Sequence, residues 1–249
     1  MVEQEIEIRT PEGTSDGIMY RSQDRHRLTG VIFLTDIGGI RPSQREMAQR
    51  LAAEGYTVLL PNVFYRVGRP PLIDFPVKTG EERIMKRIGE LSGSLTPEAV
   101  ERDASAYVDF LSGHESVADG PMGVVGYCFS GALAMRIAAA RPDRIAAAAS
   151  FHGGRLFTDA PTSPYLLLPR IKAQLYFGHA IQDKSMPQEA IENFNHALQA
   201  WGGRYEGEAY EGAYHGWTVP DSPVYNHLPA ERAFEKLKEL FGRALGENR

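Results

Sequence analysis

The chain has 249 residues, of which 43% are hydrophobic and 24% charged, and its formal net charge is −5 at pH 7. A chain of this size can bury a large core without a metal or disulfide, so we expect one domain over residues 1–249. The negative net charge gives no reason to expect nucleic acid or an anionic membrane as a partner. No apolar run reaches about 18 residues and no signal peptide is visible, which predicts a cytoplasmic protein with no membrane partner. The single cysteine excludes an intrachain disulfide and fits that location.

Strand-like and helix-like segments alternate along the chain. Residues 3–10 alternate between charged and apolar side chains, which predicts an edge strand, and residues 17–21 can pair with it as a hairpin. Further strands are predicted at 30–35, 56–60, 122–125, 145–151, 172–177 and 204–210, and helices at 42–53, 96–112, 188–201 and 231–245. This order predicts an α/β fold with a mainly parallel sheet and helices on both faces, whose ligands bind at the carboxyl ends of the strands.

Residues 66–94 are the least regular part of the chain. Prolines at positions 70, 71 and 76 precede a charged segment, residues 81–91, that has a helical pattern. Apolar residues continue through the whole stretch, so we interpret it as an excursion over the functional site and not as a linker.

Residues 122–140 combine a buried strand, a sharp turn and an Ala-rich helix that ends before Pro142. The turn reads G-Y-C-F-S-G and places Cys128 where a nucleophile elbow carries its reactive side chain. A helix N-terminus favours the thiolate form of a cysteine. A lone cysteine is more often a small buried apolar residue, but the turn and two partner residues favour the nucleophile.

The two partners follow later strands. Asp183 lies after the strand at 172–177, and His215 lies after the strand at 204–210. The order Cys, Asp, His is the chain order of nucleophile, acid and base in the hydrolases that use this elbow. Each residue has an ordinary alternative, because aspartates cap helices and loop histidines bind backbone. Glu211 and Asp221 are the competing acids.

An oxyanion hole needs two backbone N–H groups near the nucleophile. One comes from the residue after the nucleophile, here Phe129, and the other from the loop after the early buried strand. In that loop, residues 35–39, Ile37 is the candidate, although two glycines there also fit an ordinary turn.

These motifs together resemble the dienelactone hydrolase family, a branch of the α/β-hydrolases that uses cysteine. The similarity covers TDIGGIRPSQREMAQRLAAEGYTVLLPNVFYR, GVVGYCFSGALAMRIAA, the Asp183 loop and YHGW. It implies an α/β-hydrolase fold and hydrolysis of a small lactone or ester through a Cys128 acyl-enzyme. It also implies that Arg66, which closes PNVFYR, binds the substrate carboxylate; a solvated surface charge is the alternative.

Three positions depart from the family pattern. Asp36 stands where the family has a glutamate that contacts the resting thiol, and its side chain is one methylene shorter. Val219 stands where members that cleave dienelactone carry a second arginine. Ser130 replaces a glycine two residues after the cysteine.

A site with one guanidinium holds a carboxylate less firmly than a site with two. With the indole of Trp217 as a pocket wall, we expect less acidic and more apolar acyl groups than dienelactone. If dienelactone were nonetheless preferred, Arg69 and Arg155 would be the next cations to test.

The sequence thus predicts a hydrolase with a Cys128–His215–Asp183 triad, a small-molecule ester or lactone as its partner, and a monomeric or homodimeric state. No metal is expected, because His179, Asp183 and His215 lack a ligand set. No cofactor is expected either, because the Gly38–Gly39 loop is not a dinucleotide fingerprint. A thioesterase or acyltransferase on the same triad, or a non-hydrolytic binding protein on the same fold, is the alternative.

Overall fold

One eight-stranded sheet runs through the molecule, as seen in a computed structural model that describes residues 1–23, 27–75 and 81–246. The strands are β1 (Val2–Thr10), β2 (Gly13–Arg21), β3 (Gly30–Leu34), β4 (Thr57–Pro61), β5 (Met122–Tyr127), β6 (Ile145–Phe151), β7 (Gln174–Ala180) and β8 (Tyr205–Tyr210). Their spatial order is β1-β2-β4-β3-β5-β6-β7-β8. The β1–β2 and β2–β4 pairs are antiparallel, and the remaining five pairs are parallel. This confirms the predicted sheet.

The helices cover both faces of this sheet. They are α1 (Pro42–Ala53), α2 (Glu82–Gly93), α3 (Pro97–Ser112), α4 (Ser130–Ala140), α5 (Gln188–Trp201) and α6 (His227–Leu245), with a short 3-10 helix at Pro164–Arg170. One core contains side chains of α2, α3, α4 and α5, and the other contains side chains of α1 and α6. None of the helices in the described ranges is long and apolar enough to cross a membrane.

The central strands are buried on both sides, which explains their continuous apolar sequences. In β3, Ile32 and Leu34 enter one core while Val31 and Phe33 enter the other. Side chains of a strand alternate between its faces, so a strand covered by helices on both faces needs apolar residues throughout.

Several elements differ in extent from their predicted bounds. The β7 strand continues to Ala180 because its last residues pair with the end of β8. Helix α6 begins at His227, four positions before the predicted start. Pro229 falls in its first turn, where the missing N–H has no intrahelical partner.

The irregular stretch after β4 lies against the loop that follows β3. Leu72 packs so closely on Gly39 that a Cβ at the glycine would clash with it, and Gly39 has a φ of 69°. The Leu72 carbonyl accepts a hydrogen bond from Arg87 Nε of α2 at 2.8 Å. Leu72 and Arg87 thus connect this stretch to the loop after β3, whereas its residues 76–80, with Pro76, fall outside the described residues.

Candidate active site

Cys128 lies in a strained turn between β5 and α4. Its φ is 60°, a conformation that side chains other than glycine rarely adopt. A Cβ at Gly126 would overlap the Ser130 carbonyl, and one at Gly131 would overlap the Ser150 hydroxyl and approach Gly153. Both glycines are therefore required, because neighbouring backbone and side-chain atoms leave no room for a Cβ.

Ser130, which replaces a glycine of the family pattern, is fully buried and ties the turn to its neighbour strand. Its hydroxyl accepts from the Tyr127 N–H at 2.7 Å and lies 3.1 Å from the Leu34 carbonyl oxygen. Leu34 is the last residue of β3, directly before the loop that contains Ile37. The hydroxyl thus holds together the two segments predicted to supply the oxyanion hole.

The structure brings Cys128, His215 and Asp183 into one hydrogen-bonded chain. His215 Nε2 lies 3.0 Å from Cys128 Sγ, and its Nδ1 lies 2.6 Å from Asp183 Oδ2. Each residue follows its own strand, β5, β8 or β7, at the same edge of the sheet. Of the competing acids, Asp221 binds Arg41 instead. The imidazole therefore has the thiol on one nitrogen and a carboxylate on the other, as acid–base activation of a thiol requires.

Asp183 is itself held in place by Ser185. The Ser185 hydroxyl and backbone N–H both donate to Asp183 Oδ1, at 2.7 and 2.8 Å. Burial opposes ionisation of Asp183, but the hydrogen bonds from His215 and Ser185 prevail and lower its pKa. Burial likewise opposes protonation of His215, yet Asp183 and Cys128 raise the pKa of the imidazole to about 10. These opposite shifts favour a carboxylate beside an imidazolium.

The two predicted oxyanion donors are both unused. Neither the Ile37 nor the Phe129 backbone N–H donates to an acceptor within residues 1–23, 27–75 and 81–246. The Phe129 ring packs on Phe64 at 5.4 Å between centroids, which fixes the residue after Cys128. Unpaired N–H groups beside the thiol are what an oxyanion needs.

His152 is a site residue that the sequence reasoning missed. Its Nδ1 accepts a hydrogen bond from the Cys128 N–H at 3.0 Å, and its Nε2 lies 2.8 Å from the Thr218 hydroxyl oxygen. The ring packs edge to face on His215 at 5.3 Å. Burial, and then the charge of His215, hold the pKa of His152 well below 6.5. Its position directly after the predicted strand 145–151 was the signal that could have identified it.

Backbone strain is concentrated around this chain of residues. Within residues 1–23, 27–75 and 81–246, the non-glycine residues with positive φ are Cys128, His152, Arg155 and Gln182, the last of which precedes Asp183. All four follow strands at the carboxyl edge of the sheet. Strained conformations persist where the surrounding structure fixes them, and they cluster at functional sites.

Asp36 does not make the thiol contact that the family pattern implies. Its carboxylate binds Arg41 through two hydrogen bonds of 2.6 and 2.8 Å. It also accepts from the Gly38 N–H at 2.9 Å and from Gln44 Nε2 at 3.2 Å. The same Arg41 binds Asp221, which follows His215 in the chain, so the guanidinium links the Ile37 loop to the His215 loop. These contacts give Asp36 a positioning role, and they do not support its predicted place among the substrate-binding residues.

Arg66 also has partners within the protein. Two of its nitrogens bind the carboxylate of Asp103 at 2.7 and 2.9 Å, and Nε binds Glu12. Asp103 is buried, and its second partner is the Tyr65 hydroxyl at 2.9 Å. These bonds occupy the guanidinium, so they do not support the expected binding of a substrate carboxylate, and the surface-charge alternative is also wrong.

Trp217 is fully buried and does not form a pocket wall, so that interpretation was wrong. The indole packs edge to face on His152 at 5.1 Å and lies against Tyr210 at 5.0 Å. It supports the site from behind because the chain after His215 turns into the core at Trp217 and Val219.

The remaining candidate cations differ in their partners. Arg69 is paired with Glu7. Arg155 is exposed and has no ion-pair partner in the part of the chain that the structure describes. Its backbone N–H donates to the Ser185 carbonyl at 2.7 Å, and the preceding Gly154 adjoins Ser185 and His215. Arg155 is thus an unpaired guanidinium whose backbone borders the site.

Comparison with known proteins agrees with this architecture. The model of the dienelactone hydrolase family matches residues 16–245. The carboxymethylenebutenolidase of Rhodococcus opacus is 28% identical over 242 residues, which cover 95% of this chain and 90% of the relative.

Solved structures with low sequence identity share the fold. A Klebsiella pneumoniae protein provisionally described as a dienelactone hydrolase superposes with a TM-score of 0.85 at 21% identity, over 97% of this chain and 98% of that one. An esterase of Thermogutta terrifontis superposes with a TM-score of 0.70 at 15% identity, over 98% of this chain and 93% of the esterase. These likenesses show the α/β-hydrolase fold, and the family match covers most of the chain. The chain therefore belongs to the dienelactone hydrolase family of ester and lactone hydrolases.

Proposed function

We propose that the protein hydrolyses a small lactone or carboxylic ester through a thioester on Cys128, with His215 as acid and base and Asp183 orienting the imidazole. The observation that carries the proposal is the continuous chain of contacts from Cys128 Sγ to His215 and on to Asp183. A sulfur 3.0 Å from the imidazole is within reach for proton transfer between the two groups.

In the first half-reaction, the Cys128 thiolate attacks the substrate carbonyl carbon and a carbon–sulfur bond forms. The negative charge moves to the carbonyl oxygen, which accepts hydrogen bonds from the Ile37 and Phe129 N–H groups. As the intermediate collapses, the bond from carbon to the alkoxy oxygen breaks, and His215 Nε2–H gives its proton to the departing oxygen. In a lactone, that alcohol remains part of the acyl group.

In the second half-reaction, neutral His215 takes a proton from water while the water oxygen attacks the thioester carbon. The carbon–sulfur bond breaks, Cys128 leaves as the thiolate, and the acid product is released. Asp183 stays ionised and keeps the proton of His215 Nδ1 in place during both steps. The lowered pKa of Asp183 supports that assignment.

The test compares wild type with Cys128→Ala and Cys128→Ser on a panel of aryl esters and small lactones. We expect loss of turnover in Cys128→Ala, and low turnover in Cys128→Ser because an alcohol ionises less readily than a thiol. Acid-quenched wild type should carry one acyl group in an intact-mass spectrum. Near-normal turnover by a folded Cys128→Ala variant would contradict the proposal.

The acceptor is tested with the same acyl-enzyme. Water as the natural acceptor predicts that added alcohols or thiols leave the rate of acid formation unchanged at millimolar concentration. A strong rate increase with transfer of the acyl group to the added alcohol or thiol would identify an acyltransferase instead.

A further inference from the structure

A second cavity lies behind the catalytic turn, between helices α1 and α6. Its volume is about 170 Å³. Tyr127, Phe151 and Thr218 form the wall nearest the active site, and each stands next to, or three positions from, a residue of that site. Neither Cys128 nor His215 lines the cavity, so a ligand bound there would not lie against the proposed nucleophile or base.

Thr218 has a hydroxyl hydrogen available to this cavity. His152 Nδ1 accepts the Cys128 N–H, so in the neutral ring the proton must be on Nε2. Nε2 therefore donates to the Thr218 oxygen at 2.8 Å, and the Thr218 hydroxyl hydrogen is not used in that bond. No acceptor for this hydrogen exists among the residues that the structure describes.

Tyr127 supplies a second unused hydroxyl. The residue is only 5% exposed and lines the cavity, and its hydroxyl makes no hydrogen bond with any residue in the described ranges. Its ring is fixed between Phe33 and Phe151, at 5.0 and 5.6 Å. The hydroxyl oxygen keeps solvent contact, so a ligand in the cavity can accept its hydrogen bond by displacing water.

Apart from its hydroxyl groups and from Glu46 and Arg50, which are both exposed, the wall is apolar, and its one cation is already paired. Arg50 binds both carboxylate oxygens of Glu231 at 2.6 Å, and its guanidinium lies 3.9 Å from the centre of the Phe234 ring. Ala233 and Phe151 contribute apolar surface. A charged ligand would gain little from an arginine that a carboxylate neutralises, so the wall favours a neutral molecule.

From the two unused hydroxyl donors, the apolar wall and the size, we infer that this cavity binds a small neutral ring molecule that carries one carbonyl oxygen. An engineered apolar cavity of about 150 Å³ holds a benzene molecule, so one ring with a short substituent matches the volume here. The ring would pack against Phe151 and Ala233, and the carbonyl oxygen would accept from the Tyr127 hydroxyl, with Thr218 as a second donor beside it. The inference does not depend on the proposed thioester mechanism.

The probe is acetophenone, a ketone with no ester to hydrolyse, and binding is followed by NMR titration of the full chain. We expect saturable binding at one site in wild type. Ala233→Leu, which fills the cavity, should abolish it, whereas Ala197→Leu on α5 in the opposite layer should not. Binding that survives in Ala233→Leu would place the ligand in the catalytic cleft and overturn the inference, as would no binding to wild type.

A second pair of variants tests the hydrogen bond without changing the packing. Tyr127→Phe should weaken acetophenone binding about three- to tenfold and leave the binding of ethylbenzene, which has no acceptor, unchanged. Tyr56→Phe, at a buried tyrosine outside the cavity, is the matched control. Equal effects of Tyr127→Phe on both probes would contradict the assigned donor. This arm remains decisive if Ala233→Leu fails to fold.

Discussion

The imidazole of His152 accepts the backbone N–H of Cys128 at 3.0 Å while its other nitrogen binds Thr218 at 2.8 Å. The same ring packs edge to face on His215. One neutral, buried side chain therefore fixes the backbone of the proposed nucleophile and one face of the proposed base. The Cys128 N–H donates to the Phe151 carbonyl at 3.1 Å as well as to His152. Because the pKa of His152 is held well below 6.5, its ring keeps this second acceptor nitrogen at neutral pH.

His152→Phe tests this positioning role, because phenylalanine keeps a ring but removes both hydrogen bonds. We expect kcat to fall about ten- to hundredfold with KM little changed, since two buried hydrogen bonds are worth roughly 1–3 kcal/mol together. His179→Phe is the matched control: His179 is a buried histidine of β7 whose Nε2 has no partner among the described residues. Equal losses in the two variants would indicate a general effect on the fold.

Asp183→Asn tests the electrostatic part of the site. The carboxylate helps raise the pKa of His215 to about 10, so in wild type the imidazolium persists across neutral pH and favours the thiolate. Asparagine removes that charge, so the pKa of His215 falls and less of the imidazole is charged beside Cys128 at neutral pH. Turnover should drop by several orders of magnitude, as a comparable change costs about 10⁴ in serine proteases.

The accompanying measurement is the rate of Cys128 alkylation by iodoacetamide between pH 5 and 9. Wild type should react readily at the acid end of this range, whereas Asp183→Asn should react there at least tenfold more slowly. Ser185→Ala, which removes one donor to Asp183, should lie between them. Identical alkylation profiles for wild type and Asp183→Asn would contradict the coupling.

Arg66→Ala is predicted to affect stability and not substrate choice. The change leaves the carboxylate of Asp103 buried without its guanidinium, which typically costs about 3–5 kcal/mol. Thermal unfolding measures this loss, and Lys238→Ala, at a cation paired on the surface, should change the free energy of unfolding far less. The preference between carboxylate-bearing and neutral esters should match wild type. A selective loss on the carboxylate-bearing esters would restore Arg66 as a substrate contact.

Arg155→Ala is expected to change substrate preference and not stability, the opposite of Arg66→Ala. Arg155 is exposed and unpaired within the described chain, so its removal should change the free energy of unfolding by no more than about 0.5 kcal/mol. If its guanidinium meets anionic acyl groups, kcat/KM for carboxylate-bearing esters should fall about tenfold while neutral esters are unaffected. Arg204→Ala, at another exposed arginine next to β8, serves as the control. Equal kcat/KM values for both ester types in Arg155→Ala and wild type would exclude this contact.

The alternation of apolar runs and helical segments was sufficient to predict the parallel sheet. The reason is that a strand buried on both faces must be apolar throughout, as β3 is. The rule that ligands bind at the carboxyl ends of parallel strands also pointed to Cys128, Asp183 and His215, because those strand ends meet at one edge of the sheet. His152 also follows a predicted strand directly and meets the same rule, but nothing in F-H-G-G indicates the hydrogen bond that this histidine makes with Cys128.

Side-chain pairing was decided by the tertiary structure alone. The sequence around Arg66 indicates no ion-pair partner for it, because its partner Asp103 lies 37 positions away on α3. Asp221, which Arg41 joins to Asp36, lies 180 positions from that arginine. An ion pair depends on where the two side chains meet in space, and hydrophobic periodicity carries no information about that. Local sequence was therefore sufficient to predict the elements and the order of the site residues. Packing determined which charged side chains form ion pairs within the protein and which remain available to a substrate.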